Sequence, residues 1–459
     1  MQKIDFKKPT NVYFCGIGGI SMSGLATVLL DKGFNVSGSD RSESELTETL
    51  RKAGAKIFIG QKSENITDDI KVFVYTAAIH TDHPEYKRAV ELGIPVMTRA
   101  ELLGLLMKNY ELPIAISGTH GKTTVTAMIT QILLEADKDP TVSIGGMLDS
   151  IGGNFRIGHS DYFVTEACEY TNSFLSFFPK ATIILNIEED HLDFFKDIND
   201  IRNSFHRFAK LTPENGVIII GNDIPDKDEI TEGTTCPVIS FGHGNDADYH
   251  PENIVFDKNG STHFTAVSPG GIKEDFVLNV PGEHNVTNAL CAIAFADFLN
   301  IERSVTFEAL KAFGGTKRRF EKKGEVNGVS IVDDYAHHPS EIRATLTAAQ
   351  NIPKNKLWCV FQPHTYSRTK AFMDDFAKAL SLSDAVILAD IYAARETDDL
   401  GISSKDLRDL IEKLGTESYY FPSFEEIEKF ISEKCSPGDM LITMGAGDVV
   451  NIADDLVKK

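Results

Sequence analysis

The chain has few of the features that mark secreted, membrane-spanning or disulfide-stabilised proteins. Its 459 residues include only six cysteines, none in C-x-x-C spacing, which excludes a disulfide framework or a structural zinc site as the organising feature. No apolar run is long enough to span a bilayer, and the N-terminal residues lack the apolar stretch of a secretory signal. We therefore expect a cytoplasmic protein that does not insert into membranes.

Positive charge is also scarce. Lys and Arg total 46 against 67 Asp and Glu, so the net charge is −21. An acidic surface repels nucleic acid and anionic lipid, and neither is expected as a partner. Any bound phosphate must therefore be held locally by backbone amides, basic side chains and metal. The length exceeds what one hydrophobic core supports and suggests about three domains.

The clearest positive signal is a strand, a glycine turn and a helix in succession. The apolar run 112–116 predicts a strand, the sequence G-T-H-G-K-T-T follows at 118–124, and apolar residues then recur at helical spacing. Such a turn points backbone amides at phosphate, Lys122 would reach the β/γ-phosphates, and the Thr123 hydroxyl would ligate Mg²⁺. Ile116 stands where the common pattern has its first glycine, so this is a variant loop. The alternative is a plain strand–helix turn with a solvated lysine. We predict an ATP site formed by Gly118, Thr119, His120, Gly121, Lys122, Thr123 and Thr124.

A second glycine turn follows the predicted strand 11–15. The sequence G-I-G-G-I-S-M-S occupies 16–23, and Asp40 ends the next predicted strand. This is the dinucleotide-binding pattern with Ser21 at the third glycine position, and alone it would suggest NAD. A tight turn without a ligand is the other alternative. The narrower prediction is a diphosphate cradle with Asp40 beside a ribose or base edge, and thus a phosphorylated ligand distinct from ATP.

Polar residues at other predicted strand ends favour a metal and a second ligand face. Glu166 and Glu169 follow one strand and His191 lies after another, which suits Mg²⁺ unless these side chains are simply solvated. Asn288, one turn into a helix, could bond an adenine edge. The basic cluster 314–324 is a predicted linker suited to phosphate. In the last third of the chain, His337, His364 and Arg368 follow strands of a predicted parallel sheet.

Taken together, these stretches resemble the muramyl (Mur) ligase family over nearly the whole chain. The stretches that carry the resemblance are 16–23, 118–124, 166–170, 284–289, 318–320, 333–339 and 361–369. The resemblance implies an α/β protein of three domains. They are a Rossmann-like UDP-sugar-binding domain at 1–108, a central ATPase-type domain at 109–317, and a Rossmann-like domain at 318–459 that completes the ATP and amino-acid site.

The resemblance also implies a role for each matching residue. UDP-sugar-binding residues would be Gly16, Gly18, Gly19, Ser21, Ser23 and Asp40. ATP would be bound by the 118–124 loop with Asn288, Arg319 and Asp334, metal by Thr123, Glu166 and His191, and catalysis would involve Lys122, His337, His364 and Arg368. Two points stay open: Glu169 could replace Glu166 at the metal, and Thr365 stands where such ligases often carry a basic residue.

The implied activity is ATP-dependent joining of L-alanine to the carboxylate of UDP-N-acetylmuramate through an acyl phosphate, giving ADP and phosphate, in peptidoglycan precursor synthesis. Either His337 or His364 could accept the proton of the attacking amine. The alternatives are a recycling ligase that attaches a preformed peptide, an NAD-dependent oxidoreductase and a non-enzymatic nucleotide switch. The short connection 169–179 favours a single amino acid as substrate. We expect a monomer or weak dimer.

Overall fold

The structure, a computed structural model, describes residues 4–76, 79–258, 260–394, 396–398 and 400–458. The chain forms two compact units. The first contains the residues up to Ile187 together with 200–220 and 224–239, and the second contains 188–199, 221–223 and the residues from Ser240 onward. None of the helices in the described ranges is both long and apolar enough to cross a bilayer.

The first unit begins with a five-stranded parallel sheet in the order β3-β2-β1-β4-β5. Strand β1 is a run of apolar side chains that are almost all buried, as expected for the centre of a parallel sheet covered on both faces. Strands β1–β5 are Asn11–Cys15, Asn35–Asp40, Lys56–Ile59, Val72–Tyr75 and Val96–Thr98. Helices α1–α4 are Ile20–Asp31, Glu45–Lys52, Pro84–Glu91 and Arg99–Met107.

A seven-stranded sheet follows, in the order β12-β11-β10-β6-β9-β7-β8. Strand β6 lies between β10 and β9, so the loop after β6 leaves the middle of the sheet at its carboxyl edge, where α/β sheets bind ligands. Strands β6–β12 are Leu112–Ser117, Thr141–Leu148, Gly153–Arg156, Tyr162–Glu166, Ala181–Ile184, Val217–Gly221 and Val238–Phe241. Helices α5–α7 are Lys122–Glu135, Ile198–Ala209 and Lys227–Thr231, and 3-10 helices lie at Ser63–Asn65, Asp149–Ile151 and Tyr170–Ser176.

The second unit contains an antiparallel three-stranded sheet and a six-stranded sheet ordered β16-β17-β21-β18-β19-β20. In the larger sheet only the β16–β17 pair is antiparallel. Strands β13–β21 are His250–Phe256, Thr262–Ser268, Ile272–Leu278, Glu321–Val326, Val329–Asp334, Leu357–Phe361, Ala385–Leu388, Glu417–Tyr420 and Met440–Met444. Helices α8–α15 are Glu283–Phe298, Arg303–Ala312, Pro339–Gln350, Tyr366–Ala371, Met373–Leu380, Ser404–Lys413, Phe424–Lys434 and Val450–Lys458.

The six-stranded sheet is buried on both faces. Leu357, Cys359 and Phe361 of β18 point into one hydrophobic cluster, while Trp358 and Val360 point into the other. This alternation follows from the two-residue period of a strand. It leaves the ends of the strands as the positions where polar side chains can lie at the surface of the sheet.

The fold class predicted from the sequence is confirmed. The strand at 11–15 and the strand, turn and helix around 118–124 are present, and the carboxyl-terminal sheet is largely parallel as expected. One local difference concerns the basic cluster predicted as a linker at 314–324. Its final residues form the start of β16, because Glu321 and Lys322 pair with β17.

Candidate active site

The predicted phosphate loop, residues 118–124, joins β6 to α5 and needs glycine at two positions. Gly121 precedes the helix with a φ of 84°, a left-handed conformation that costs other residues energy. At Gly118 a Cβ atom would lie 2.9 Å from that of Leu185. The Asn186 side chain then fixes the loop, because its Oδ1 accepts a hydrogen bond from the His120 amide (2.8 Å) and its Nδ2 donates to the His120 carbonyl (3.1 Å).

Lys122 is folded back onto this loop. Its Nζ lies 3.0 Å from Oε2 of Glu169 and 3.1 Å from the carbonyl oxygen of Thr119, and it also donates to the carbonyl of Gly118. Burial alone would lower the pKa of Lys122, but the charge of Glu169 raises it above its ordinary value. The ammonium group is therefore held charged at the start of a helix, where phosphate oxygens could replace its present partners.

Glu166 and Glu169 have different surroundings. Glu169 is 3% exposed and is bound to Lys122. Glu166 pairs with Ile116 in the register of β9 and β6, directly before the loop, and its Oε1 accepts a hydrogen bond from the Gly145 amide at 2.6 Å. Glu166 lacks a lysine partner among the described residues, and carboxylate with Thr123 hydroxyl oxygen is a donor set that suits Mg²⁺. This arrangement favours Glu166 over Glu169 as a cation ligand.

The turn at 16–23 uses several of its amides internally. The Gly16 and Ile17 amides donate to the Ser39 carbonyl (2.8 and 2.9 Å), and the Gly18 amide donates to Oδ2 of Asp40 (2.8 Å). Asp40 thus ties the turn to β2, a role that its sequence position did not predict. Ser23 is buried and donates to the carbonyl of Ile20, and Gly19 precedes α1. The hydroxyl of Ser21 accepts a hydrogen bond from Arg99 Nη1 at 2.8 Å.

In the second unit, Asp334 ends β17 and is nearly buried. Its two oxygens accept hydrogen bonds from the amides of Ala336 (2.7 Å) and Phe320 (2.8 Å), and burial raises its pKa to about 6. Arg319 is more exposed, with its guanidinium 5.2 Å from the Tyr335 ring and 3.9 Å from a carboxylate oxygen of Glu341. Of the two arginines in the basic cluster, Arg319 has the longer ion-pair distance, since Arg318 lies 3.1 Å from Asp333.

Arg318 and Asn288 are each held by neighbours. Arg318 donates hydrogen bonds to Asp333 at 3.1 Å and to the carbonyl of Gly445 at 2.6 Å, so its positive charge is neutralised by a carboxylate at the end of β17. Asn288 is nearly buried on α8, where its Nδ2 donates to Oδ1 of Asn285 at 3.2 Å. Its amide oxygen has no hydrogen-bond partner elsewhere in the described chain and can accept a hydrogen bond.

The structure brings His337 and His364 together, with ring centroids 5.9 Å apart. Arg368 lies beside them, and its Nη1 is 3.3 Å from Nδ1 of His364. Its Nη2 and Nε donate to Oδ1 of Asp190 at 2.8 and 3.2 Å. Burial would raise the pKa of Asp190, but the charges of His191 and Arg368 hold it below its ordinary range.

Hydrogen bonding distinguishes the two histidines. Burial lowers the pKa of both His337 and His364 to about 4, so both are neutral near pH 7. Nδ1 of His337 lies 3.1 Å from the Tyr335 carbonyl and 3.2 Å from a Glu341 oxygen; both are acceptors, so we place its proton on Nδ1. Nδ1 of His364 instead accepts from Arg368. The proton of a neutral His364 is then on its Nε2. Of the two rings, only His337 has a free lone pair on Nε2.

His191 has a left-handed backbone conformation, with φ of 53°, and its Nε2 lies 3.8 Å from Oδ2 of Asp190. It belongs to the second unit, whereas Thr123 and Glu166 belong to the first. The ATP-binding residues predicted outside the loop, Asn288, Arg319 and Asp334, are also in the second unit.

Several residues that shape the site were missed by the sequence predictions. Asp190 positions Arg368, and Arg99 contacts the 16–23 turn. Glu341 accepts hydrogen bonds from the His337 and His338 amides, and its place three residues after His338 at a helix start is a capping-box signal that could have been recognised. The other two pairs carry no comparable short-range signal.

Comparison with known proteins assigns three successive stretches of the chain to domains of one family. Three family models match in chain order: "Mur ligase family, catalytic domain" at 11–111, "Mur ligase middle domain" at 116–296 and "Mur ligase, glutamate ligase domain" at 318–447. A protein of Agathobacter rectalis named UDP-N-acetylmuramate–L-alanine ligase is 57% identical over the whole of both chains.

Two solved structures are similar over 98% of both chains. The UDP-N-acetylmuramate–alanine ligase of Thermotoga maritima has a TM-score of 0.82 at 31% identity. A murein peptide ligase of Psychrobacter arcticus has a TM-score of 0.69 at 25% identity. The A. rectalis relative is 57% identical from end to end, and family models match three successive stretches of the sequence. The chain therefore belongs to the Mur ligase family.

Proposed function

We propose that this chain joins L-alanine to the carboxylate of UDP-N-acetylmuramate at the expense of ATP, in cytoplasmic peptidoglycan precursor synthesis. The observation that carries the proposal is the 57% identity, over the full length, to a relative named for that reaction. As a Mur ligase the chain is an ATP-dependent ligase, and the buried phosphate loop with Lys122 provides the matching chemistry.

The reaction needs two transfers. A carboxylate oxygen of the sugar nucleotide first takes the γ-phosphoryl group, releasing ADP and forming an acyl phosphate. The alanine nitrogen then attacks the acyl carbon, and the tetrahedral intermediate releases phosphate. We assign contacts with the ATP phosphates to Lys122 and Arg319, since charge on the phosphoryl oxygens must be stabilised during transfer.

A magnesium ion would be held by Thr123, Glu166 and His191 in this proposal. When bound, it would supply positive charge that neutralises the phosphate oxygens. The remaining loop residues would bind phosphate through their amides, while Asn288 would bind the adenine and Asp334 the ribose. The free amide oxygen of Asn288 supports the first of these roles.

The proton of the attacking amine goes, in our proposal, to His337. The uncommitted lone pair on its Nε2 supports this choice over His364, whose Nδ1 already accepts from Arg368. A bound phosphate close to the ring would raise the His337 pKa from about 4 toward the working pH, which would improve its basicity. Arg368, fixed by Asp190, would face the amino-acid carboxylate.

The UDP-sugar would bind at the 16–23 turn. Gly16, Gly18 and Gly19 shape the turn, and the Ser21 hydroxyl lies at the start of α1, whose first amides are free of intrahelical partners. Ser23 would act by stabilising this first helical turn rather than through direct contact, because its hydroxyl already donates to the chain. Asp40 has one oxygen on Gly18, and its other oxygen bonds the amide of Arg41.

We also propose the three-domain division 1–108, 109–317 and 318–459, which the successive family-model matches support. The boundary at 317/318 falls between the second and third matches, and the boundary at 108/109 lies just inside the end of the first match, at residue 111. We further propose a monomer or weak dimer, which analytical ultracentrifugation across a range of concentrations would test.

The decisive assay measures ADP release with UDP-N-acetylmuramate and, separately, L-alanine, glycine, L-serine and a preformed muramyl tripeptide as amine. We expect the highest kcat/KM with L-alanine and formation of the UDP-N-acetylmuramoyl-alanine product by mass spectrometry. Efficient use of the tripeptide in preference to L-alanine would instead establish a recycling ligase. ADP release that did not depend on the UDP-sugar would contradict both.

A further inference from the structure

Arg99 is a partly buried cation that forms no ion pair with the described residues. It is the first residue of α4, and its Nη1 donates to the hydroxyl of Ser21 at 2.8 Å. Across the described ranges this is its one side-chain hydrogen bond, and no carboxylate lies within ion-pair distance. Burial lowers the pKa of Arg99, although guanidinium stays protonated. A desolvated charge with unused N–H donors is unfavourable unless something else neutralises it.

The 16–23 turn offers a ligand hydrogen-bond donors but no positive charge. Its amides at Gly16, Ile17 and Gly18 donate to Ser39 and Asp40, and the Gly19 amide donates back to the Gly16 carbonyl at 3.2 Å. The donors that remain for a ligand are the first amides of α1 and the Ser21 hydroxyl. These neutral groups alone would have to balance a doubly charged diphosphate in a chain of net charge −21.

The guanidinium of Arg99 places a positive charge beside this turn. It contacts Ser21 at the amino-terminal end of α1, where the helix dipole also favours an anion. Burial is the main influence on the pKa of Arg99, and the negative charge of Glu166 opposes it only in part, which puts Arg99 within electrostatic reach of the end of β9. Its planar fork matches phosphate oxygens in a bidentate geometry that a lysine cannot reproduce.

We propose that Arg99 binds the diphosphate of the UDP-sugar, closing a site formed by the amino-terminal turn of α1 and the Ser21 hydroxyl. This inference rests on the proposed function, since it names the residue that neutralises the substrate of that reaction. Arg99 contacts the non-reacting part of the substrate, so it acts on binding and positioning and takes no part in phosphoryl transfer. A purely structural link between α4 and α1 is the competing explanation.

The test is calorimetric titration of wild type, Arg99→Gln and Arg99→Lys with UDP-N-acetylmuramate, UDP-N-acetylglucosamine and UMP, in the presence of Mg²⁺ and a non-hydrolysable ATP analogue. UDP-N-acetylglucosamine keeps the diphosphate but lacks the reacting carboxylate. We expect Arg99→Gln to weaken both UDP-sugars by about tenfold to a hundredfold and UMP by less, because a charged hydrogen-bonding group is lost. Arg99→Lys should be intermediate, with affinity for the ATP analogue unchanged.

Arg88→Gln is the matched control, because Arg88 is an exposed arginine on neighbouring α3 that pairs with Glu91. It should bind every ligand like wild type. Loss restricted to UDP-N-acetylmuramate would place Arg99 on the carboxylate and overturn the inference, as would unchanged UDP-sugar affinity in a folded Arg99→Gln protein. Equal weakening of all ligands, including the ATP analogue, would show a structural role. If wild type bound neither UDP-sugar, the proposed function itself would fail, and this inference with it.

Discussion

The Nζ atom of Lys122 and Oε2 of Glu169 lie 3.0 Å apart, and both side chains are largely buried. The two residues are separated by 47 positions and come from the start of α5 and the chain after β9. Glu169 therefore provides the negative charge that keeps the loop lysine protonated and oriented before a nucleotide binds. The phosphates of a bound nucleotide would then supply part of the negative charge beside Lys122.

Substituting Glu169 by Gln should destabilise the protein and make it more dependent on nucleotide. Removing one partner of a buried ion pair leaves the other uncompensated, and we expect the free energy of unfolding to fall by about 3 kcal/mol. ATP restores a negative partner to Lys122, so saturating nucleotide should raise the thermal midpoint of Glu169→Gln more than that of wild type. Urea and thermal unfolding with and without nucleotide measure both effects.

The control for this experiment is Glu91→Gln. Glu91 pairs with Arg88 at 3.3 Å, but both side chains are well exposed, so its removal should change stability by no more than about 0.5 kcal/mol. An equal loss of stability in the two variants would show that burial of the Lys122–Glu169 pair is not the cause.

Lys122→Ala should reduce turnover to a small residual rate while leaving UDP-sugar binding close to that of wild type. The ammonium group is positioned at the phosphate loop, and loss of one charged group that stabilises a transition state costs about 10²- to 10³-fold in kcat. The UDP-sugar is assigned to the separate 16–23 turn. Steady-state assays and UDP-sugar titrations of the same preparation check both parts; loss of UDP-sugar binding would contradict the assignment of two sites.

The effect of Mg²⁺ should distinguish Glu166 from Glu169. Because the Glu169 carboxylate is occupied by Lys122 and that of Glu166 is not, Glu166→Gln should raise the Mg²⁺ concentration needed for half-maximal activity about tenfold to a hundredfold. Glu169→Gln should leave that concentration nearly unchanged even where its kcat is reduced. The reverse pattern in a Mg²⁺ titration would assign the cation to Glu169.

Protonation of His337 should oppose folding in mildly acidic solution. Its pKa is about 4 in the folded chain and about 6.5 when unfolded, so between these values the unfolded chain binds an extra proton. Stability is therefore unaffected by this group above pH 6.5 and falls as pH drops toward 4. His337→Asn should lose less stability than wild type between pH 7.5 and 5, by about 1 to 2 kcal/mol. Identical pH dependence of the unfolding midpoints would refute this.

The parts of the site with short-range signatures were predictable from the sequence. The stretch around 118–124 combines an apolar strand, glycines in a turn and a helical period within about twenty residues, so the succession of strand, turn and helix was predictable. The polar ends of β17 and β18 were found in the same way, because buried parallel strands are continuous apolar runs.

Partner choice within the site was not predictable, because it depends on residues brought together only by folding. Arg368 and Asp190 are 178 positions apart, and Arg99 and Ser21 are 78 apart. Nor could the sequence say that Arg318 is used by Asp333 whereas the adjacent Arg319 is more available, since this follows from the antiparallel pairing of β16 and β17. The role of Asp40 was equally unpredictable, because its contact with the Gly18 amide depends on where the end of β2 lies relative to the turn after β1.

The central claim, that the sugar carboxylate is activated by phosphoryl transfer before the amine attacks, is tested most directly with oxygen isotopes. UDP-N-acetylmuramate labelled with ¹⁸O in its carboxylate is incubated with the enzyme, ATP, Mg²⁺ and L-alanine, and the released inorganic phosphate is analysed by ³¹P NMR. The account predicts one ¹⁸O atom in each phosphate molecule. Phosphate free of the label, with amide product formed, would contradict it.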